Sequence, residues 1–134
     1  MVGGIVTQGG IIPPMITVYG IPNCDTVKKA RDWLAQRHAP HVFHDFKKQG
    51  VPPDLLAQWA AALGWERLLN RQGQTWRRLT SAEQSQAVDA RSACALMLVH
   101  TSLVKRPVID WGSAVLTVGW QPDAFEAALA GVLA

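Results

Sequence analysis

A cysteine placed between a β-branched run and the start of a helical pattern is positioned to act as a nucleophile, and Cys24 stands in that place. Ile16, Thr17, Val18 and Tyr19 have strand-type side chains. Gly20 and Pro22 then break the run, and Val27, Ala30 and Leu34 recur at helical spacing. The thiol is therefore expected at the first turn of a helix, where unpaired N–H groups and the positive dipole end favour thiolate over thiol. The dipole alone is worth about 0.3–1 kcal/mol, less than the roughly 1.36 kcal/mol of one pKa unit, so strong activation needs cationic side chains nearby. Lys28, one turn later, is a candidate for part of that charge. From this stretch alone, Cys24 reads equally as an ordinary small residue of a βα turn.

Other residues offer less. His41 and His44 are three apart on an expected strand and so point to opposite faces, which makes them surface or edge histidines and leaves no metal site. Cys94 lies among Ala93, Ala95, Leu96, Met97, Leu98 and Val99, where a thiolate is disfavoured, so it is not expected to resolve a disulfide with Cys24. The net charge of +3 is spread over several segments. That favours small anionic ligands over a nucleic-acid surface. Two cysteines seventy positions apart fit a reducing cytoplasm better than a disulfide framework.

The elements that must position these residues follow from periodicity. Residues 1–14 are Gly-rich and apolar without the basic start of a secretory signal, and read as a flexible extension or tag before a single domain over 15–134. No apolar run is long enough to span a membrane. A helix is expected over 25–38, with Lys28 and Asp32 paired at i,i+4, then a strand over His41–Phe46. Helices follow over 53–63, Ser81–Val88 and about Ala90–Thr101, the last apolar on every side and so expected to be largely buried. Residues Asn70 to Trp76 read as a polar loop. Trp33, Trp59 and Trp76 fall in charged or Ala-rich stretches, consistent with half-exposed rings. Val108–Trp111 and Ala114–Val118 form a hairpin with its turn at Gly112-Ser113, and a last helix opens at Pro122 and runs through Leu129, with a stripe of Phe125, Leu129 and Val132. The order is βαβ, an all-helical insert over about 53–103, then ββα.

That frame resembles the thioredoxin-like fold, an α/β fold with a mixed four-stranded sheet. Four motifs in one order resemble the arsenate reductase (ArsC)/Spx family, and within it the YffB-type branch: the stretch Tyr19 to Lys29 around Asn23-Cys24, Leu68 to Arg71, Thr75 to Leu79, and Lys105 to Ile109. The resemblance implies that Cys24 is the nucleophile, that Arg106 binds an anion, and that Pro107 is cis. It also implies a second anion contact, for which Arg71 is preferred although a count from Leu79 places Asn70 there equally well, with Asn23 and Lys28 beside the thiol. Two departures matter. Arsenate reductases of this family have a histidine four positions before the cysteine, where this chain has Gly20, and a third arginine after the hairpin, where it has Gly119-Trp-Gln-Pro122. The C-x-x-C pair frequent in Spx-type regulators is absent, since Ile21 and Val27 flank Cys24 at three positions.

The function implied is a monothiol oxidoreductase that uses glutathione as co-substrate and holds no bound cofactor. The alternatives are an arsenate or oxyanion reductase with the same nucleophile, and an Spx-like protein-binding redox regulator without turnover. The expected partners are glutathione, another small thiol or an oxyanion, and under the last alternative a protein; no nucleic acid and no membrane are expected.

Overall fold

The β-branched run of Ile16–Gly20 becomes β1, an inner strand of a four-stranded sheet ordered β2-β1-β3-β4. The computed structural model describes residues 15–133, so the expectation for residues 1–14 lies outside them. Chain order runs through α1 (Asp25–Gln36), β2 (His41–Asp45), α2 (Phe46–Gln49), α3 (Pro53–Leu63), α4 (Trp65–Leu68), α5 (Gln74–Arg78), α6 (Ser81–Gln84) and α7 (Ala90–Val99). A 3-10 turn at Thr101–Leu103, β3 (Val108–Gly112), β4 (Val115–Val118) and α8 (Pro122–Leu133) complete it.

β1 pairs in parallel with β2, in a register from Ile16 opposite His41 to Gly20 opposite Asp45, and antiparallel with β3, with Tyr19 opposite Val108. β3 and β4 form the antiparallel hairpin. Alternating side chains send the inner strands to two faces. Ile16, Val18, Ile109 and Trp111 pack with Ala30, Trp33 and Leu34 of α1 and Phe125 and Leu129 of α8. Tyr19, Val108 and Val118 pack with Leu56 and Trp59 of α3, Leu68 of α4, and Leu96 and Met97 of α7. This is a thioredoxin-like α/β fold with helices on both faces of a mixed sheet.

Several expectations need correction. α1 ends two residues early because His38 takes a left-handed conformation (φ 53°) and the Ala39 N–H donates to the Leu34 carbonyl, a Schellman closure. Lys28 and Asp32 form no ion pair; among the described residues the pairs are Arg37–Glu126 and His100–Glu83. Trp33 and Trp59 are buried, at 7% and 2% exposure, because Phe125 meets one ring and Tyr19 and Phe46 meet the other; Trp76 is half-buried as expected. Part of the expected Asn70–Trp76 loop is helical, since α5 begins at Gln74. α6 is capped by a reciprocal Thr80–Glu83 box and stops at Gln84. α7 ends at Val99 and is not buried all round: Ala93, Leu96 and Met97 face the core, whereas Leu98 and Val99 are 38% and 75% exposed. The hairpin turn falls at Ser113-Ala114, both at positive φ, one residue later than expected, and α8 extends to Leu133.

Candidate active site at the carboxyl end of β1

The topology decides which segments meet. Because β1 and β2 are parallel, the connections leaving both, which carry Cys24 and Lys47, emerge at one end of the sheet. Because β3 is antiparallel to β1, the segment entering β3 starts at that same end, and it carries Arg106 and Pro107.

Cys24 is the residue before α1, with extended backbone (φ −100°, ψ 125°), and its carbonyl accepts the first helical bond from the Lys28 N–H at 2.9 Å. The side chain is half-buried and the thiol is free. Burial pushes its pKa up, but donation from the Val27 N–H, a hydrogen bond and the charge of Arg106, and donation from the Thr26 N–H outweigh it, so the thiol titrates below its ordinary value. The helix N-terminus therefore acts through two oriented N–H groups, and the cation beside the thiol is Arg106.

Arg106 is held from behind. Its Nη1 donates to the Ser102 carbonyl at 3.2 Å and the Val104 carbonyl at 3.4 Å, while its Nε is buried without a hydrogen-bond partner. The Arg106-Pro107 bond is cis and Pro107 is buried. The Leu68–Asn70 segment braces this stretch: Lys105 N–H donates to the Leu68 carbonyl at 2.8 Å and Asn70 N–H to the Leu103 carbonyl at 2.7 Å.

The remaining sequence candidates divide. Asn23 is exposed in the turn directly before Cys24. Asn70 is half-buried beside the strand-like segment that leads to Arg106, with its Oδ1 accepting from the Gln72 N–H at 3.0 Å. Arg71 is exposed and its guanidinium lies over the rings of Trp65 and Trp76, 5.5 and 5.8 Å from their centroids. Lys28 is not among the groups acting on the thiol; it lines a hollow with Arg31, Asp32, Ala35 and His41 along the α1 flank. His41 and His44 each bond a backbone carbonyl, of Ala39 and Gly50, and among the described residues no cluster of metal-ligating side chains occurs.

Sequence reasoning missed Lys47. With Ile21, Phe46, Thr101, Ser102 and Arg106 it lines a cavity of ≈ 110 Å³. The signal was available: in open α/β sheets ligands bind beyond the carboxyl ends of parallel strands, and Lys47 follows β2 by two residues.

The model of the ArsC family matches residues 19–128, which span the thiol, Arg106, the sheet and most of α8. The chain belongs to the ArsC family. Among ArsC-like solved structures, the YFFB (PA3664) protein is 43% identical with a TM-score of 0.80, covering 85% of this chain and 98% of its own. An arsenate reductase (ArsC) related protein from Brucella melitensis is 45% identical with a TM-score of 0.67, covering 88% and 97%. A protein of Haemophilus influenzae is 38% identical over 116 residues, 87% of this chain and 100% of that protein. This ArsC-family chain is thus of the YffB type.

Proposed function

We propose that this chain is a glutathione-dependent monothiol reductase with Cys24 as nucleophile, working in the reducing cytoplasm. Membership of the ArsC family supports a thiol-based reductase at the family level. The observation that carries the finer reading is the pairing of one activated thiol with one anchored arginine, with no second cysteine at the three-residue spacing of a dithiol site. In the first step the Cys24 thiolate attacks one sulfur of a disulfide; the Cys24–sulfur bond forms, the old sulfur–sulfur bond breaks, and the other half leaves as thiolate and takes up a proton. A glutathione thiolate then attacks the mixed disulfide and returns Cys24 as thiolate. A second glutathione reduces the released mixed disulfide, so two glutathiones supply the two electrons. Arg106 stabilises the thiolate in both the attacking and the leaving role.

Gly20 argues against arsenate as the substrate. A Cβ there would lie 2.7 Å from Val27 Cγ2, so the histidine that the resemblance associates with arsenate reductases has no room in this packing. The backbone brace of Asn70 beside the Arg106 segment, with Arg71 turned onto Trp65 and Trp76, favours Asn70 over Arg71, the residue preferred from sequence, for a further ligand contact.

The test is turnover of bis(2-hydroxyethyl) disulfide with glutathione, followed as glutathione disulfide formed, with mass spectrometry of the protein. The expected result is turnover and a mixed disulfide between Cys24 and the hydroxyethylthio half of the substrate. Absence of both, with the fold intact, would favour the non-enzymatic regulator.

A further inference from the structure

The cavity between Lys47 and Arg106 carries one cation, Lys47, that the chemistry at Cys24 does not use. Two cations border it, one from the start of α2 and one from the segment entering β3, with Thr101 and Ser102 beside them. Neither cation belongs to an ion pair among the described residues, and the buried Nε of Arg106 has no hydrogen-bond partner. The carboxylate nearest in sequence, Asp45, is engaged with backbone: its Oδ1 accepts from the Lys47 N–H at 2.8 Å. An ammonium without an ion partner, bordering a cavity whose other cation is an anchored guanidinium, suits an acceptor with negative charge.

We propose that this cavity is a carboxylate subsite, in which Lys47 and Arg106 hold a carboxylate of the thiol co-substrate while its sulfur approaches Cys24. The proposal rests on the reductase reading above and names what selects the co-substrate. Arg106 makes the two sites one unit, because the same guanidinium acts on the Cys24 thiol and borders the cavity. At ≈ 110 Å³ the cavity lies well under the roughly 300 Å³ at which pockets enclose a whole ligand, so it takes one acidic arm and leaves the rest outside. Lys47 is exposed, as suits a residue at the mouth of a site. A thiol without a carboxylate gains nothing from this site.

Attack of the co-substrate sulfur on the Cys24 sulfur can be isolated. In the full chain carrying Cys94→Ala, Cys24 is converted with 2,2′-dithiodipyridine to its neutral pyridyl mixed disulfide. The release of 2-thiopyridone by glutathione and by β-mercaptoethanol is then timed. The ratio of the two rates cancels the reactivity of the Cys24 sulfur itself. Lys47→Gln is expected to lower the glutathione to β-mercaptoethanol ratio about fivefold, the size of one partly exposed charge contact. Lys48→Gln removes the same charge from a neighbour that does not line the cavity, and should leave the ratio at the wild-type value. A ratio equal in Lys47→Gln and wild type, or lowered as much by Lys48→Gln, overturns the subsite. A wild type that prefers glutathione here yet turns over no disulfide loses the reductase reading and keeps the subsite.

Discussion

The two cysteines of this chain are both free and both half-buried, yet their surroundings push them in opposite directions. Cys24 lies where two backbone N–H groups and a guanidinium converge, and its thiol is held low against the opposing effect of burial. Cys94 projects from α7 into an apolar groove of ≈ 350 Å³ lined by Ala57, Ala60, Ala90, Arg91, Ala95 and Leu98, and burial alone pushes its thiol up. Its sulfur has one distant polar neighbour, the Leu56 carbonyl at 4.0 Å, an acceptor that suits a thiol and repels a thiolate. Equal exposure therefore does not make equal reactivity. What separates the sites is whether donors are aimed at the sulfur.

The largest effect that would break this contrast is on turnover. Cys24→Ser should reduce glutathione-dependent disulfide turnover to the uncatalysed rate, since an alcohol neither ionises near neutral pH nor forms the mixed disulfide. Cys94→Ala should retain wild-type turnover in the same assay; loss there, or a Cys24–Cys94 bridge found by mass spectrometry in oxidised protein, would mean an intramolecular resolving step.

A smaller effect sharpens the reason for the contrast. Removing Arg106 leaves Cys24 with its burial and its two N–H donors, so Arg106→Ala should raise the midpoint of alkylation rate against pH toward the ordinary thiol value. The rate at neutral pH should fall about tenfold, on the order of one pKa unit. Arg106→Lys keeps the charge and loses the fork anchored on Ser102 and Val104, so its midpoint should lie between the two. A midpoint unmoved in Arg106→Ala would assign the activation to the helix start alone.

The uneven legibility of these features in the sequence has physical causes. The β1–Cys24–α1 unit can be read directly, because the β-branched run, the turn residues and the Val27, Ala30, Leu34 spacing all agree on one local structure. Arg106 and its cis proline are reached only through the family motif, since nothing in Lys105-Arg-Pro-Val says which strand edge it will approach. Lys28 is misread because one helical turn from Cys24 places it near in sequence but on the flank facing Asp32 and His41. Lys47 is missed because its relation to Cys24 exists only once β1 and β2 are parallel neighbours. α7 is over-buried in the sequence reading because an apolar composition does not say how many partners a helix has, and α7 turns Leu98 and Val99 outward.

Gly20 offers a test that acts on stability. Its missing side chain lets Val27 pack against the end of β1, and Val27 is also the first of the N–H donors to the thiol. Gly20→Ala should therefore destabilise the fold by about 1–3 kcal/mol through overpacking, measured by denaturant unfolding. Because the strain falls on Val27, the same variant should raise the Cys24 alkylation midpoint. Destabilisation without that shift would show that the donor is held by α1 independently of the strand.

The smallest effect, and the one that compares the two thiols in a single measurement, is the dependence of stability on pH. Cys24 has a folded pKa below its unfolded value, so it contributes stability that is present above the unfolded thiol pKa and is lost as pH falls through the folded value. Cys94 has a folded pKa above its unfolded value, so its contribution is full below the unfolded pKa and is lost as pH rises through the folded one. Between neutral pH and pH 10 the two therefore tilt the unfolding free energy in opposite senses. Cys94→Ala, which should cost about 1 kcal/mol or less at neutral pH because the side chain is small and borders an open groove, should make the chain relatively more stable than wild type as the pH rises. Cys24→Ser should make it relatively less stable over the same interval. Urea unfolding of the wild type and both variants at neutral and alkaline pH reads the two differences directly, and slopes of the same sign would show that the thiols share one environment after all.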